Sequence, residues 1–224
     1  MSIGKLLCNW QVNNMSIITA KINAARQAIE YIASQDVVAI GTGSTVNILL
    51  EQMYKANIQP QTIVSSSIET DIQLRKFAYN FEEFNNLSKI DLYIDGADAY
   101  NQTKQLIKGK GGALLREKIL AYSSCKFIVI VDETKPKKLS TVALPVEVLP
   151  VARSYVAREL IKLGGKPKLR AGFISEHNHN ILDVHGLNLN EPIELEHKLN
   201  QIPGVVGHGL FAIRGADIII CGSA

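Results

Sequence analysis

Apolar residues recur at three- and four-residue steps from Met15 onward. Ile18, Ile22, Ala25, Ile29 and Ile32 fall on one side of a predicted helix. The period then shortens. Asp36-Val37-Val38-Ala39-Ile40 is an apolar run that breaks at Gly41-Thr42-Gly43-Ser44-Thr45, and a helical stretch follows from Val46 to Ala56. Thr62-Ile63-Val64 ends at Ser65, Ser66 and Ser67, ahead of a helical stretch from Ile68 to Tyr79. Ile90 to Ile94 runs into Asp95-Gly96-Ala97-Asp98. Lys108 to Gly112 is a basic, glycine-rich turn feeding a helix from Ala113 to about Ser123, and Phe127 to Val131 ends at Asp132-Glu133-Thr134-Lys135. Short β-branched runs alternating with helices predict an α/β fold, a Rossmann-like open parallel sheet covered on both faces.

Beyond Pro145 the alternation changes. Val146 to Leu149 reads as a strand, Val151 to Leu163 as a helix, Leu169 to Ile174 and Ile181 to Val184 as a hairpin, Pro192 to Ile202 as a helix and Val205 to Ala212 as a strand. That order is the βαββαβ of a small ferredoxin-like α+β domain. Ala216 to Cys221 is a further buried strand, able to return to the first sheet. The expected division is 15–142 plus 215–224 for the α/β catalytic domain and 143–214 for the small domain. Residues 1–14 are expected to be a poorly ordered extension, with Met15 an alternative start of translation.

In an open parallel sheet the carboxyl ends of the strands share one edge, and ligands sit in the crevice outside it. Thr42 to Thr45, Ser65 to Ser67, Asp95 to Asp98 and Asp132 to Lys135 are therefore expected to converge on one site. Composition narrows its ligand. Across 224 residues, 24 Lys and Arg stand against 21 Asp and Glu, a formal charge of +3 with no basic block, which argues against a nucleic-acid binder. No apolar run approaches the roughly 18 residues of a membrane span. Cys8, Cys125 and Cys221 are an odd, scattered set that suggests neither a disulfide framework nor a zinc knuckle, so a reducing cytoplasm is expected.

Gly41 to Thr45 joins a strand to a helix, where outward backbone N–H groups and the helix dipole suit a phosphate; an ordinary capped turn would use the same residues. It carries neither the Gly-Lys-Ser/Thr ending of a P-loop nor a G-x-G-x-x-G pattern. Asp95 and Asp98 could serve proton transfer, hydroxyl recognition or Mg²⁺ binding, although Asp-Gly also simply forms turns. Tyr93 stands where an Asp-x-Asp phosphatase needs a carboxylate, which weakens the metal reading. Lysine at the mouth of the Lys108–Gly112 turn suits an anion. Glu117 follows in the next helix, whose side chains lean back toward that mouth and whose dipole favours a carboxylate; a surface glutamate paired with neighbouring lysines is the plainer alternative. His177-Asn178-His179, with Asp183 and His185 nearby, matches no metal-ligand spacing.

The segments GTGST (Gly41 to Thr45), VSSS (Val64 to Ser67), IDGAD (Ile94 to Asp98), KGKGGALLREKI (Lys108 to Ile119), VDETK (Val131 to Lys135) and LPVEVLP (Leu144 to Pro150) occur in that order. Together with LGGKPKLRAG, ILDV and IPGVVGHGLFA further on, they closely resemble the type A ribose-5-phosphate isomerase family from Met15 onward. The resemblance implies an aldose–ketose isomerase interconverting ribose 5-phosphate and ribulose 5-phosphate in the pentose phosphate pathway, with no cofactor and no metal. It implies Glu117 as catalytic base. Substrate-binding positions would be Lys21, Thr42, Gly43, Ser44, Thr45, Asp95, Gly96, Ala97, Asp98, Lys108, Gly109, Lys110, Gly111 and Lys135. Lys108 and the glycine-loop amides would stabilise an enediolate, Asp95 would handle hydroxyl protons, and Asp98 would hold sugar hydroxyls. A homodimer or homotetramer, with no nucleic-acid or membrane partner, is implied as well. Two departures stand out: Lys110 replaces the third residue of a KGGG turn, and Ala99 stands where the family often has Glu. The rivals are a non-catalytic sugar-phosphate sensor, which would carry a separate DNA-binding module, and a Mg²⁺-dependent phosphatase or kinase.

Overall fold

The structure is a computed structural model that describes residues 3–224, with side chains described from Met15 onward. Its elements are α1 (Ile3–Ile32), β1 (Val37–Ile40), α2 (Ser44–Lys55), β2 (Thr62–Ser65), α3 (Ile68–Lys76), β3 (Ile90–Asp95), β4 (Ala99–Tyr100), β5 (Leu106–Ile107) and α4 (Leu114–Ser123). There follow β6 (Ser124–Asp132), β7 (Leu144–Val148), α5 (Arg153–Lys162), β8 (Lys166–Leu169), β9 (Asn180–His185), α6 (Pro192–Asn200), β10 (Val205–His208), β11 (Leu210–Phe211) and β12 (Ile218–Gly222).

Five strands form a parallel sheet in the order β12-β6-β3-β1-β2. Their near-continuous apolar runs are explained by burial on both faces. In β3, Leu92 and Ile94 point to one side, into a core with Ala28, Ile32, Leu49, Leu50 and Met53 of α1 and α2. Tyr93 points to the other, where Leu120 and Ala121 of α4 and Phe211 cover it. The chain leaves β1 for β2, then crosses back through α3 to β3 on the opposite side. The strand order therefore reverses between β1 and β3, which is where an open α/β sheet forms its ligand crevice. No helix among the described residues is long and apolar enough to cross a membrane.

The second layer has the expected βαββαβ order, from β7 through α5, β8, β9 and α6 to β10. It forms an antiparallel sheet, β10-β7-β9-β8, over a core that includes Val146, Val148, Val156, Leu160, Leu182 and Leu199. Several boundaries differ from the pattern. The first helix starts at Ile3 rather than near Met15; residues 1–2 and the side chains up to Asn14, on which the expectation of an extension rests, lie outside the described residues. α4 passes into β6 without a turn. The strand expected at Leu169 to Ile174 ends at Leu169 instead and begins at Lys166. It is the edge of its sheet, where Pro167 costs no ladder bond, and its register pairs Leu169 with Leu182.

The expected strand Val205 to Ala212 divides. β10 pairs with β7, whereas β11 changes sheet to pair with β5, which itself pairs with β4. Gly209 is the crossing point: its amide donates to Pro145 O (2.8 Å), and its carbonyl accepts from Lys108 N (2.9 Å). A Cβ there would lie 2.0 Å from the Lys108 carbonyl oxygen, so the two segments can touch only at glycine. We expect Gly209→Ala to destabilise the fold by about 1–3 kcal/mol. Thermal unfolding would register this as a Tm lowered by several degrees, and an unchanged Tm would contradict the crossing as described.

Candidate active site

The carboxyl ends of β1 and β3 open into a cavity of about 310 Å³. The β1 end contributes Thr42, Gly43, Ser44 and Thr45, and the β3 end Gly96, Ala97 and Asp98. Lys108, Gly109, Lys110 and Gly111 form another wall, with Glu117 behind them and Lys135 from the β6 end. Three of the four expected strand ends thus meet there. Glu69 and Ile130 also line the cavity. The sequence carried no signal for Ile130, in the middle of a strand, and for Glu69 only an acidic residue in the first turn of α3.

Ser65 to Ser67 do not reach this cavity. Ser65 Oγ donates to Asp71, and Ser67 caps α3 by accepting from Thr70 N (3.1 Å). Ile68 N donates to Glu176 Oε1 (2.9 Å), so the N-terminus of α3 is already occupied. The N-terminus of α2 differs. Gly43 offers no side-chain cap, and the first-turn amides of a helix have no intrahelical acceptor. With the dipole they leave an anion site at Ser44 and Thr45. Lys21 Nζ donates to Ser44 Oγ (2.9 Å), which places a cation beside that site although Lys21 is not a cavity wall.

Lys108 lies at the floor, 3 % exposed. Its ammonium donates to Asp95 Oδ2 (2.7 Å) and Gly96 O (2.7 Å), and stands 3.3 Å from Glu117 Oε2. Burial opposes its charge, but Asp95 and Glu117 outweigh burial and hold it above its ordinary value. Asp95 has no exposed surface. Its Oδ1 accepts from Gly96 N (2.6 Å) and Thr42 N (3.1 Å), its Oδ2 from Lys108 and the Tyr93 hydroxyl. With both oxygens engaged twice, Asp95 holds Lys108 and the β1 turn. Gly41 makes this possible: a Cβ there would fall 1.9 Å from the Asp95 carboxyl.

Glu117, in the first turn of α4, is also buried. Its Oε2 is buried and has no hydrogen-bond partner among the described residues, although the Lys108 ammonium stands 3.3 Å away, and the residue lines the cavity. Burial pushes its pKa up to about 7; Lys108 pulls the other way, and the Asp95 charge adds to the rise. A carboxylate poised near neutrality in the wall of a cavity can take and return a proton.

The two departures prove mild. Lys110 does not adopt the left-handed region; the positive φ values of that turn fall on Gly109 (94°) and Gly112 (86°). Lys110 N donates to Asp98 Oδ2 (3.0 Å), and Lys110 O accepts from Arg170 (3.0 Å), which is paired with Asp183. Ala99 is a buried residue of β4 facing Ile107. His177 and His179 turn to the buried Glu147: His179 Nδ1 lies 2.9 Å from its carboxylate. Among the described residues no group of three His, Cys, Asp or Glu is arranged to hold a metal ion.

Fold and site define an α/β protein whose strand-end cavity is walled by a buried lysine and a glutamate of raised pKa. The comparisons narrow the class. The family description "Ribose 5-phosphate isomerase A (phosphoriboisomerase A)" matches residues 62–224. Ribose-5-phosphate isomerase A of Haemophilus influenzae is 43% identical over 211 residues, 93% of this chain and 96% of that one. The crystal structure of ribose 5 phosphate isomerase A from Neisseria gonorrhoeae superposes with a TM-score of 0.89 at 40% identity, covering 91% of this chain and 92% of that one. A D-ribose-5-phosphate isomerase solved in complex with phospho-erythronic acid gives 0.87 at 32% identity, covering 92% and 95%. The chain belongs to the ribose 5-phosphate isomerase A family.

Tyr93 is the residue that sequence reasoning used only to argue against a metal. Its hydroxyl, held well above the usual phenol range by burial and by the Asp95 charge, stays protonated and donates to Asp95. The Tyr93→Phe variant should keep the stacking on Phe127 (4.9 Å between rings) and so remain folded. Loss of a hydrogen bond to a charged group should cost about 1.5–3 kcal/mol in chemical denaturation, with kcat reduced roughly tenfold as Asp95, which holds Lys108, loses one of its four donors. Wild-type kcat would show that the Tyr93 hydroxyl is not needed to fix Asp95 against Lys108.

Proposed function

We propose that this cavity interconverts D-ribose 5-phosphate and D-ribulose 5-phosphate through an enediolate. The observation that carries the reading is the unpartnered Glu117 oxygen beside the buried Lys108 ammonium. In the open-chain aldose, Glu117 takes the proton from C2, and the electron pair of that C–H bond moves into the C1–C2 bond while the carbonyl oxygen becomes an oxyanion. Glu117 then returns its proton to C1 and a hydroxyl proton moves between the two oxygens. A C–H bond is broken at C2 and one is formed at C1, with no net change of oxidation state and no co-reactant.

The developing oxyanion needs fixed positive charge more than it needs a stronger base. Lys108, kept charged by its two carboxylates, supplies it. Asp98 takes up the amide of Lys110, whereas the amides of Gly109 and Gly111 donate to no group among the described residues and can serve the oxyanion. The phosphate fits the open N-terminus of α2, with Ser44, Thr45 and Lys21 on one side and Lys135 on the other. Binding there is remote from the reacting carbons and holds them in place. Asp98 faces the sugar hydroxyls, and Asp95 acts through Lys108. The relative solved with phospho-erythronic acid supports a phosphorylated sugar derivative as the ligand of this fold. The family also supports the pentose phosphate pathway and cytoplasm as the setting, and a homodimer or homotetramer as the assembly. A monomer mass by light scattering would refute the last.

Purified protein given ribose 5-phosphate in EDTA-containing buffer should form ketose at full rate; loss of activity that Mg²⁺ restores would favour the metal-dependent rival. Glu117→Gln should bind substrate normally yet lose about 10²–10⁴-fold in kcat. Because the base works ionised, wild-type kcat/KM should rise with pH and level off above about 7. The same shift has a stability sign. The folded-state value lies above the ordinary 4.5, so the Glu117 contribution is whole below 4.5 and is lost as pH rises through about 7. Glu117→Gln should therefore gain Tm relative to wild type above pH 7 and not below 4.5; the reverse order would contradict the buried assignment.

A further inference from the structure

Lys118, next in sequence to the proposed base, points away from the cavity into the seam between the two layers. Its side chain is largely buried, 14 % exposed. The ammonium donates to Glu196 Oε1 of α6 (2.5 Å) and to Leu210 O of β11, and stands 4.4 Å from the centroid of the Phe211 ring. Glu196 is fully buried, and its other oxygen accepts from Ala212 N (2.6 Å) and Ile213 N (2.8 Å), so that carboxylate grips the chain just after β11. His208 completes the seam: Nδ1 accepts from Leu210 N (3.3 Å), so Nε2 carries the hydrogen and faces Asn200 Oδ1 (3.0 Å). Burial, with the Lys118 charge added, holds this imidazole well below its usual range and neutral.

The geometry matters because Glu117 and Lys108 reach the cavity on different segments. Glu117 rides on α4, a ten-residue helix with no side-chain cap at its N-terminus. Lys108 follows β5, whose partner is β11: Leu210 pairs with Ile107 and Phe211 with Leu106. The Lys118 bond to Leu210 O joins α4 to β11, the strand that pairs with β5 ahead of Lys108. Phe211 links them again, with Lys108 Nζ 5.8 Å from the same ring that Lys118 approaches. We infer that Lys118 and Glu196 form a positioning pair that sets the separation between the Glu117 carboxylate and the Lys108 ammonium. The pair touches no substrate. This rests on the reading of Glu117 as the base.

The consequence is kinetic. A shift of about 1 Å in a reacting group can cost on the order of 10²-fold in rate, while the phosphate site at α2 lies on another part of the sheet. Lys118→Met should fold, with kcat lowered at least about tenfold and KM for ribose 5-phosphate within about threefold of wild type. The acidic limb of its kcat/KM profile should move, because the nearby Lys108 charge opposes the burial that raises Glu117. Lys118→Arg, which can still reach an acceptor, should recover part of kcat. A folded Lys118→Met protein with lowered Tm but wild-type kcat and an unmoved acidic limb would show a purely structural pair and overturn the inference. If Lys118→Met does not fold, Glu196→Gln, which keeps an acceptor for Ala212 and Ile213, decides by the same two readouts. Glu117→Gln measured alongside separates the cases. An active Glu117→Gln enzyme defeats the reading of the base, whereas an inactive one beside a normal Lys118→Met defeats only the positioning pair.

Discussion

An ammonium buried between two carboxylates organises this molecule. Lys108, Asp95 and Glu117 have almost no contact with solvent, and three unpaired charges in that position would not survive desolvation. They persist because each is partnered: Lys108 by two carboxylates and a carbonyl, Asp95 by four donors, and Glu117 by Lys108 alone. The asymmetry is the functional part. Asp95 is the better solvated by protein dipoles and holds the lysine's charge; Glu117, with the Lys108 ion pair as its contact among the described residues, is left near neutrality and able to change protonation state. Two carboxylates near one another have been pushed into different roles by their surroundings, the usual route to acid–base chemistry at neutral pH.

Holding that cluster requires close approach of segments far apart in sequence. Asp95 meets the β1 turn at Gly41, and Lys108 meets the chain between β10 and β11 at Gly209; at both places a side chain would occupy space already filled by carboxyl or carbonyl oxygens. The small antiparallel sheet is therefore part of the site's foundation although it lines none of the cavity. Its surroundings reach in through the crossing at Gly209, through Arg170 just after β8 on the carbonyl of Lys110, and through Glu196 of α6 on Lys118.

The two helices that start at neighbouring strand ends show how one local motif acquires different uses. α3 begins after Ser65 to Ser67 and spends its N-terminal amides on Ser67 and Glu176. α2 begins after Gly43, which has nothing to offer them. The same backbone dipole is quenched in one case and left for a ligand in the other, and the difference lies in a single capping position together with a glutamate from the small domain.

Much was determined by the sequence by itself. Period-two and period-3.6 patterns are local consequences of backbone geometry, so the alternation of strands and helices, the βαββαβ order and the return of β12 to the first sheet could be read from apolar spacing. The glycine-lysine turn followed by Glu117 could be read for the same reason, since a helix fixes where its first-turn side chains lean. Tertiary structure decided the rest. Nothing local distinguishes the serines after β2 from the hydroxyl residues after β1, because what separates them is Glu176, more than a hundred positions away. Nor could any pattern say that Asp95 would gather four donors while Glu117 gained only an ion pair, that Val205 to Ala212 would divide between two sheets, or that Ile130 would reach the cavity. Those outcomes depend on which distant group arrives to fill a hydrogen bond or a volume. Only folding brings such groups together.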